Sequence, residues 1–210
     1  MIKLVIFDLD GTLVDAYTAI IRSFNYTMRS LGYPRQDDYT VRRAVGWGDE
    51  NLLKPFLKPK DLKKGLYLYR GHHRESLLKH SRLFRGVRNV LSCLKKKGLK
   101  LAVASNRPTR FSWILIRHLG LDRYFDYVLC ADKLKHGKPN PEILNRIMQR
   151  FCVTPQESVY VGDMAIDAQA GRRASIPTVI VTTGSSSKAQ IKKENPQRII
   201  PGIKELLRIL

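Results

Sequence analysis

The sequence predicts an α/β fold in which a doubly wound parallel sheet, a Rossmann-like core, carries an inserted all-helical cap domain. Two observations lead to this fold class. From Gly86 onwards, short apolar runs alternate with amphipathic helical patterns, which is typical of a parallel sheet covered by helices on both faces. A further apolar run at residues 2–7 resembles these strands, but the whole of residues 16–84 separates it from them.

The predicted strands are continuous apolar runs rather than alternating patterns, as expected for strands buried on both faces. They cover residues 2–7, 100–105, 127–131, 158–163 and 177–181. Helical periodicity predicts helices between them and at the end of the chain, at 87–97, around Leu115, after Pro141, at 165–174 and in IKELLRIL. The segment TTGSSSKAQ at 182–190 is predicted to be a mobile loop.

Residues 16–84 are predicted to be helical throughout. Apolar residues recur every three to four positions after Asp15, and LGYP ends this first helix. Basic amphipathic stretches follow around 39–58 and 61–80, and we expect no strand between 16 and 84. The predicted domains are therefore a core of residues 1–15 and 85–210 and a helical cap of residues 16–84.

Composition excludes several classes of protein. The chain has 210 residues, no apolar stretch long enough to span a membrane, and three scattered cysteines without metal-ligand spacing. We expect a cytoplasmic protein, a monomer or a homodimer. The formal net charge of +20 attracts anions, but the basic residues are spread along the chain, so we expect no specific nucleic-acid site.

Polar residues follow three of the predicted strands at their carboxyl ends, where ligands bind in open α/β sheets. The segments are DLDGT, SNRP and GDMAID, which bring together Asp8, Asp10, Ser105, Asn106, Asp163 and Asp167. Clustered carboxylates repel one another, and Mg²⁺ with oxygen ligands relieves this repulsion. Lys138 in HGKPNPE supplies a cation that could pair with Asp8 and with a phosphate.

These segments, DLDGT, SNRP, GKPNPE and GDMAIDAQAG, resemble the four ordered motifs of the haloacid dehalogenase superfamily. The helical insertion after the first motif resembles the cap of its phosphoglycolate phosphatase and pyrophosphatase branch. The resemblance implies a Mg²⁺-dependent phosphatase that hydrolyses small phosphorylated metabolites through an aspartyl-phosphate intermediate. Phosphoglycolate is the leading candidate substrate.

The resemblance also implies a role for each motif residue. Asp8 is the nucleophile, Asp10 the general acid and base, and Lys138 the cation that offsets charge on the nucleophile and in the transition state. Thr12 supports the first loop and, with Ser105, Asn106 and Arg107, is assigned to substrate binding. The residues assigned to the metal are Asp8, Asp10, Asp163 and Asp167, the last either directly or through the second shell.

Other functions stay open. Pyrophosphate is an alternative substrate, and a sugar-phosphate mutase of the same superfamily also retains Asp10. From other classes, the charge allows a nucleic-acid 3′-phosphatase or binding module, and the fold allows a non-catalytic interaction protein. In the cap, VGWG at 45–48 resembles a turn that faces the active site, and Arg70 and His72 either contact substrate or lie exposed. Asp15 is expected to fix the hinge between core and cap.

Overall fold

The computed structural model describes residues 1–210 and contains one six-stranded parallel sheet with helices on both faces. The predicted doubly wound α/β fold is confirmed. The six strands are β1 Leu4–Phe7, β4 Lys100–Ser105, β5 Tyr127–Cys130, β6 Ser158–Gly162, β7 Thr178–Val181 and β8 Arg198–Ile200. Their spatial order in the sheet is β5-β4-β1-β6-β7-β8.

The central strand, β1, divides the core into two layers. Val5 and Phe7 face a large apolar cluster that continues into the cap, whereas Leu4 and Ile6 face a smaller cluster on the opposite side of the sheet. Strand β1 pairs in parallel with β4 on one side and β6 on the other. The carboxyl ends of these three strands therefore lie side by side, as the sequence predicts.

Nine α-helices surround the sheet and form the cap. Those after residue 86 cover the sheet, and their bounds are α5 Val87–Lys96, α6 Thr109–His118, α7 Glu142–Phe151, α8 Ala165–Arg173 and α9 Lys188–Lys193. Those before residue 86 are α1 Tyr17–Ser30, α2 Asp38–Ala44, α3 Asp49–Leu53 and α4 Pro59–His80. No helix combines the length and the apolar character that crossing a bilayer requires.

In the cap, the long helix α4 packs against α1. Ser76 of α4 donates a hydrogen bond to the carbonyl of Ala19 in α1 over 3.0 Å, and Phe24 of α1 meets Phe56 edge-on at 5.0 Å between ring centroids. The two connections to the core pair with each other as short antiparallel strands, β2 Val14–Asp15 and β3 Arg82–Leu83. Within this pair, Arg82 forms a 3.0 Å ion pair with Asp15.

The structure corrects three expectations. Strand β3 lies between residues 16 and 84, where no strand was expected, because two residues are too few to show a strand pattern. The final segment contains a 3-10 helix, Ile203–Arg208, rather than an α-helix, and β8 precedes it unpredicted. Residues 188–193 are helical instead of looped, since Ser187 caps them by accepting from the amide of Gln190. The division into domains at residues 15 and 85 stays a prediction.

Candidate active site

Lys138 lies at the centre of a buried ionic cluster. Its Nζ is 2.8 Å from a carboxylate oxygen of Asp8 and 2.8 Å from one of Asp167, and it also donates to the hydroxyl of Tyr160 over 3.0 Å. Burial alone lowers the pKa of this amine, but the charges of Asp167 and Asp8 raise it above its usual value. Lys138 is therefore a fixed positive charge beside Asp8.

Asp167 has no free carboxylate oxygen. Oδ1 accepts from Lys138 and from the hydroxyl of Tyr160, the latter over 2.6 Å. Oδ2 accepts from the main-chain amides of Asp163 and Met164 at 3.1 and 2.9 Å. Of the two roles left open for Asp167, this geometry favours the indirect one, in which it orients Lys138 and the loop that carries Asp163.

Asp163, directly after β6, offers one free ligand atom. Its Oδ1 accepts from the hydroxyl of Thr12 over 2.8 Å, while Oδ2 is buried without any partner. Ligand atoms of Asp8, Asp163 and Asp167 all lie within 4.8 Å of one another. A buried, unpartnered carboxylate oxygen beside a second carboxylate suits a hard divalent cation, so these residues fit Mg²⁺.

Two glycines leave the space around Oδ2 of Asp163. Gly11 adopts the left-handed region with φ of 81°, and a Cβ on Gly11 or on Gly184 would overlap Oδ2. The loop that carries Gly184 is held in place because the hydroxyl of Thr183 donates to the carbonyl of Gly11. The two glycines thus allow the backbone to pack closely against this carboxylate.

Two acids of this cluster, Asp8 and Asp163, have raised pKa values. Burial raises the pKa of Asp8 to about 7 against the opposing effect of Lys138, with Asp167 adding to the rise. Burial and the charges of Asp167 and Asp8 raise the pKa of Asp163 well above its usual value. A divalent cation would favour the ionised form of both groups, which a nucleophilic carboxylate requires.

Asp10 forms an ion pair with Arg107, a residue that the sequence assigns to substrate binding. Nε and Nη2 of Arg107 donate to the two oxygens of Asp10 at 2.7 and 2.8 Å, a bidentate pair. The third nitrogen, Nη1, donates to Nε2 of His73 in α4 over 2.6 Å. Arg107 therefore links the second carboxylate of the first motif to the cap.

Several hydrogen-bond donors remain free around Asp8. No backbone hydrogen bond uses the amides of Leu9, Asp10 or Asn106. The hydroxyl oxygen of Ser105 accepts from the amide of Arg107 over 3.1 Å, which leaves its proton available. Free amides and a hydroxyl at the end of parallel strands are suited to binding phosphoryl oxygens.

Asn106 joins the core to the cap loop through its side chain. Its Nδ2 donates to the carbonyl of Gly46 over 2.9 Å and to that of Lys138 over 3.0 Å, and its Oδ1 accepts from the amide of Lys138. Only its main-chain amide stays free for a substrate. The turn VGWG does face the site, since Gly46 and Gly48 line the same cavity as Asp8.

This cavity, between cap and core, has a volume of about 50 Å³, room for a few water molecules. Its core side is polar, whereas its cap side carries apolar side chains, among them Ile20, Val45 and Leu52. A wider groove of about 770 Å³ adjoins it, and its wall carries both basic and acidic residues, namely Arg70, Arg110, Lys135, Asp49, Glu50 and Asp132. The groove gives the cavity an approach from solvent.

The structure brings together most residues that the sequence selects. Thr12 donates its hydroxyl proton to Asp163 and is 1% exposed, which suits its expected support of the first loop, and its assignment to substrate binding stays a prediction. Arg70 pairs with Asp49 at 2.7 Å, and His72 stacks on Tyr26 with its Nδ1 3.1 Å from the hydroxyl of Ser23, so neither contacts the cavity.

Sequence reasoning missed His73 and Tyr160. His73 is 1% exposed and lies on the buried face of α4 with Tyr69 and Leu77, a helical spacing that could have revealed it. Tyr160 stands inside the apolar run of β6, and nothing in that run indicates its contacts with Lys138 and Asp167.

Comparisons with known proteins agree with this geometry. Residues 5–181 match the family described as haloacid dehalogenase-like hydrolase. The phosphoglycolate phosphatase of Pseudomonas putida is 32% identical, and the match covers 98% of this chain and 78% of that protein. The phosphoglycolate phosphatase of Vibrio parahaemolyticus is 31% identical, with 100% of this chain and 96% of that protein covered.

A solved structure has the same fold throughout. The crystal structure of a predicted phosphoglycolate phosphatase from Haemophilus somnus superposes with a TM-score of 0.93 at 27% identity. The match covers 99% of this chain and 97% of that one, so it includes the cap as well as the sheet.

Proposed function

The chain is an enzyme that belongs to the haloacid dehalogenase-like hydrolase family, and we propose that it is a Mg²⁺-dependent phosphatase of small phosphorylated metabolites. The observation that carries the proposal is the position of Asp8. Its carboxylate follows the central strand, lies 2.8 Å from the buried amine of Lys138, and is only 7% exposed beneath the cap. A desolvated carboxylate beside a fixed cation and a cation-binding acid cluster is suited to nucleophilic attack on phosphorus.

In the first step, a carboxylate oxygen of Asp8 attacks the phosphorus atom and the bond to the ester oxygen breaks. Asp10 gives a proton to that oxygen, so the alcohol leaves neutral and Asp8 carries the phosphoryl group. Lys138, the hydroxyl of Ser105 and the free amides of Asp10 and Asn106 stabilise the charge on the phosphoryl oxygens.

In the second step, Asp10 takes a proton from a water molecule, which attacks the phosphorus atom of the aspartyl phosphate. Phosphate leaves and the Asp8 carboxylate is restored. A Mg²⁺ ion held by Asp8, Asp163 and the main-chain carbonyl of Asp10 would supply positive charge to the phosphoryl group during both steps. Thr12 and Asp167 keep these ligands oriented.

Phosphoglycolate is the proposed substrate of first choice. The similarity to phosphoglycolate phosphatases supports it, and so do the small cavity and the buried amine of Lys138 beside Asp8, which favour a compact anion. Pyrophosphate meets the same physical requirements and is the second choice. A cytoplasmic location and a monomeric or homodimeric state stay predictions from the sequence.

A substrate screen tests this proposal. The purified protein is assayed with Mg²⁺ against a panel of phosphate esters and anhydrides that includes phosphoglycolate, pyrophosphate, sugar phosphates and a 3′-phosphorylated oligonucleotide, ranked by kcat/KM. We expect phosphoglycolate at or near the top and no turnover by Asp8→Asn. Absence of hydrolysis of every ester would refute the proposal, and preference for the oligonucleotide would replace the substrate class.

A further inference from the structure

We propose that His73, on cap helix α4, is a positioning residue for Asp10. It holds Arg107 from the cap side, and Arg107 in turn fixes the carboxylate that transfers the proton. The inference rests on the proposed role of Asp10 as acid and base, and it assigns to the cap a part in the proton-transfer step.

A continuous chain of hydrogen bonds carries the proposal. Nδ1 of His73 lies 3.0 Å from the hydroxyl oxygen of Ser23 in α1, and that hydroxyl lies 2.9 Å from the carbonyl of Ala19. On the other edge of the ring, Nε2 meets Nη1 of Arg107 at 2.6 Å, and the remaining guanidinium nitrogens bind Asp10. Two cap helices and the acid–base residue are thus connected through one imidazole.

The chemistry of the partners fixes the tautomer of His73. A guanidinium group can only donate, so Nε2 accepts and the ring proton sits on Nδ1, where it is directed at Ser23. Burial lowers the pKa of His73 well below its usual value, and the charge of Arg107 adds to the effect. The ring is therefore neutral and offers Arg107 a lone pair.

Packing holds the ring of His73 in place. Tyr69 stacks against it with 4.7 Å between centroids, and Phe111 of the core meets it edge-on at 5.2 Å. Without the acceptor on His73, Nη1 of Arg107 would be buried and unpaired, since the side chain of Arg107 is only 6% exposed. Arg107 would then shift, and the bidentate ion pair that aligns both oxygens of Asp10 would be lost.

A comparison of leaving groups separates this role from a general structural one. 4-Nitrophenolate leaves without a proton, whereas the alkoxide of phosphoglycolate needs one from Asp10. Both esters share the second step, in which Asp10 is the base, so the comparison uses kcat/KM, which reports only the steps up to release of the leaving group. We expect His73→Leu to lower kcat/KM for phosphoglycolate roughly tenfold, with kcat/KM for 4-nitrophenyl phosphate changed by less than about twofold. Asp10→Asn should show the same selectivity with a larger loss.

Further variants guard against misfolding as an explanation. His73→Gln keeps an acceptor for Arg107 and should recover most of the lost kcat/KM on phosphoglycolate. Arg107→Lys keeps the positive charge but cannot form a bidentate pair with Asp10, so it should reproduce the selectivity of His73→Leu. Ser76→Ala is the control. Ser76 is buried on the same helix, and its hydroxyl donates to the same carbonyl of Ala19, so this variant should leave both activities unchanged.

The results of these assays either support or overturn the role of His73. Equal losses on the two esters in His73→Leu and Arg107→Lys, or no loss on either, would overturn the inference while leaving a phosphatase in place. A wild-type protein that hydrolyses neither ester would instead refute the proposed function, and the inference with it.

Discussion

Thr12 donates its hydroxyl proton to Oδ1 of Asp163 over 2.8 Å, although 151 positions separate the two residues along the chain. The bond commits one oxygen of the carboxylate and fixes its plane, so that Oδ2 is buried without a partner. An unpaired buried carboxylate oxygen is costly, and a bound cation would remove that cost.

Mg²⁺ should therefore stabilise the folded protein through Asp163. At a concentration a hundredfold above its Kd, the ion adds about 2.7 kcal/mol to the free energy of unfolding, and the midpoint of thermal unfolding rises. Asp163→Asn should abolish the rise, whereas Asp122→Asn, at an acid outside the cluster, should retain it. Differential scanning fluorimetry with and without Mg²⁺ measures the effect, and an equal rise in Asp163→Asn would contradict the site.

Gly184→Ala should weaken Mg²⁺ binding because the new Cβ overlaps Oδ2 of Asp163. Gly184 is not in the left-handed region, but the new Cβ would also lie 2.6 Å from the main-chain carbonyl oxygen of Asp163, so the loop that carries Gly184 must shift as well. We expect the Kd measured by isothermal titration calorimetry to rise roughly 10- to 100-fold. Gly202→Ala is the matched control, since its Cβ meets nothing within 4 Å. Unchanged affinity in Gly184→Ala would place the metal elsewhere.

Lys138→Met should destabilise the metal-free protein by about 3–5 kcal/mol, because Asp8 and Asp167 lose their buried partner. Urea unfolding measures this loss. Lys135→Met, three residues earlier and exposed, is the matched control and should change the free energy of unfolding by less than about 0.5 kcal/mol. A loss below about 1 kcal/mol for Lys138→Met would show that the ion pairs contribute little.

Stability should fall in acid because of His73. Burial, with the charges of Arg107 and His72, lowers the pKa of His73 in the folded state, whereas in the unfolded chain the ring titrates near its usual 6.5. Below that pH the unfolded chain gains a proton that the folded protein excludes, so up to about 1.4 kcal/mol of stability is lost per pH unit.

The check compares urea unfolding at about pH 7.5 and about pH 5.5, on either side of the ordinary histidine value. His73→Gln should lose less stability between the two than the wild type does, whereas His118→Gln, at an exposed position, should behave like the wild type. If His73→Gln and the wild type lose the same amount, His73 is not held neutral in the fold.

The sequence was sufficient to predict that Asp8 and Asp163 lie at one edge of the sheet. Strands buried on both faces are continuous apolar runs, and the carboxyl ends of parallel strands lie at the same edge, while the direct pairing of β1 with β6 that makes the two acids neighbours is seen in the structure. Lys138 was predictable from the resemblance of the ordered motifs, because a lysine considered by itself is most often exposed.

Contacts made across the cap could not be predicted. The periodicity of α4 places His73 on a buried face, but nothing local indicates Arg107, 34 residues away, as its partner. Asn106 likewise suggests a phosphate contact by its motif, yet its side chain is used by backbone groups of two separate loops. Such hydrogen bonds depend on the orientation of whole elements, which patterns of apolar residues do not encode.

The proposed mechanism requires that Asp8 becomes phosphorylated during turnover. Rapid acid quenching of enzyme, Mg²⁺ and substrate, followed by borohydride reduction of any acyl phosphate and mass spectrometry of the peptide that contains residue 8, tests this step. We expect a transient phosphoryl adduct whose reduction converts Asp8 to homoserine. Turnover without an adduct, or an adduct on another residue, would contradict it.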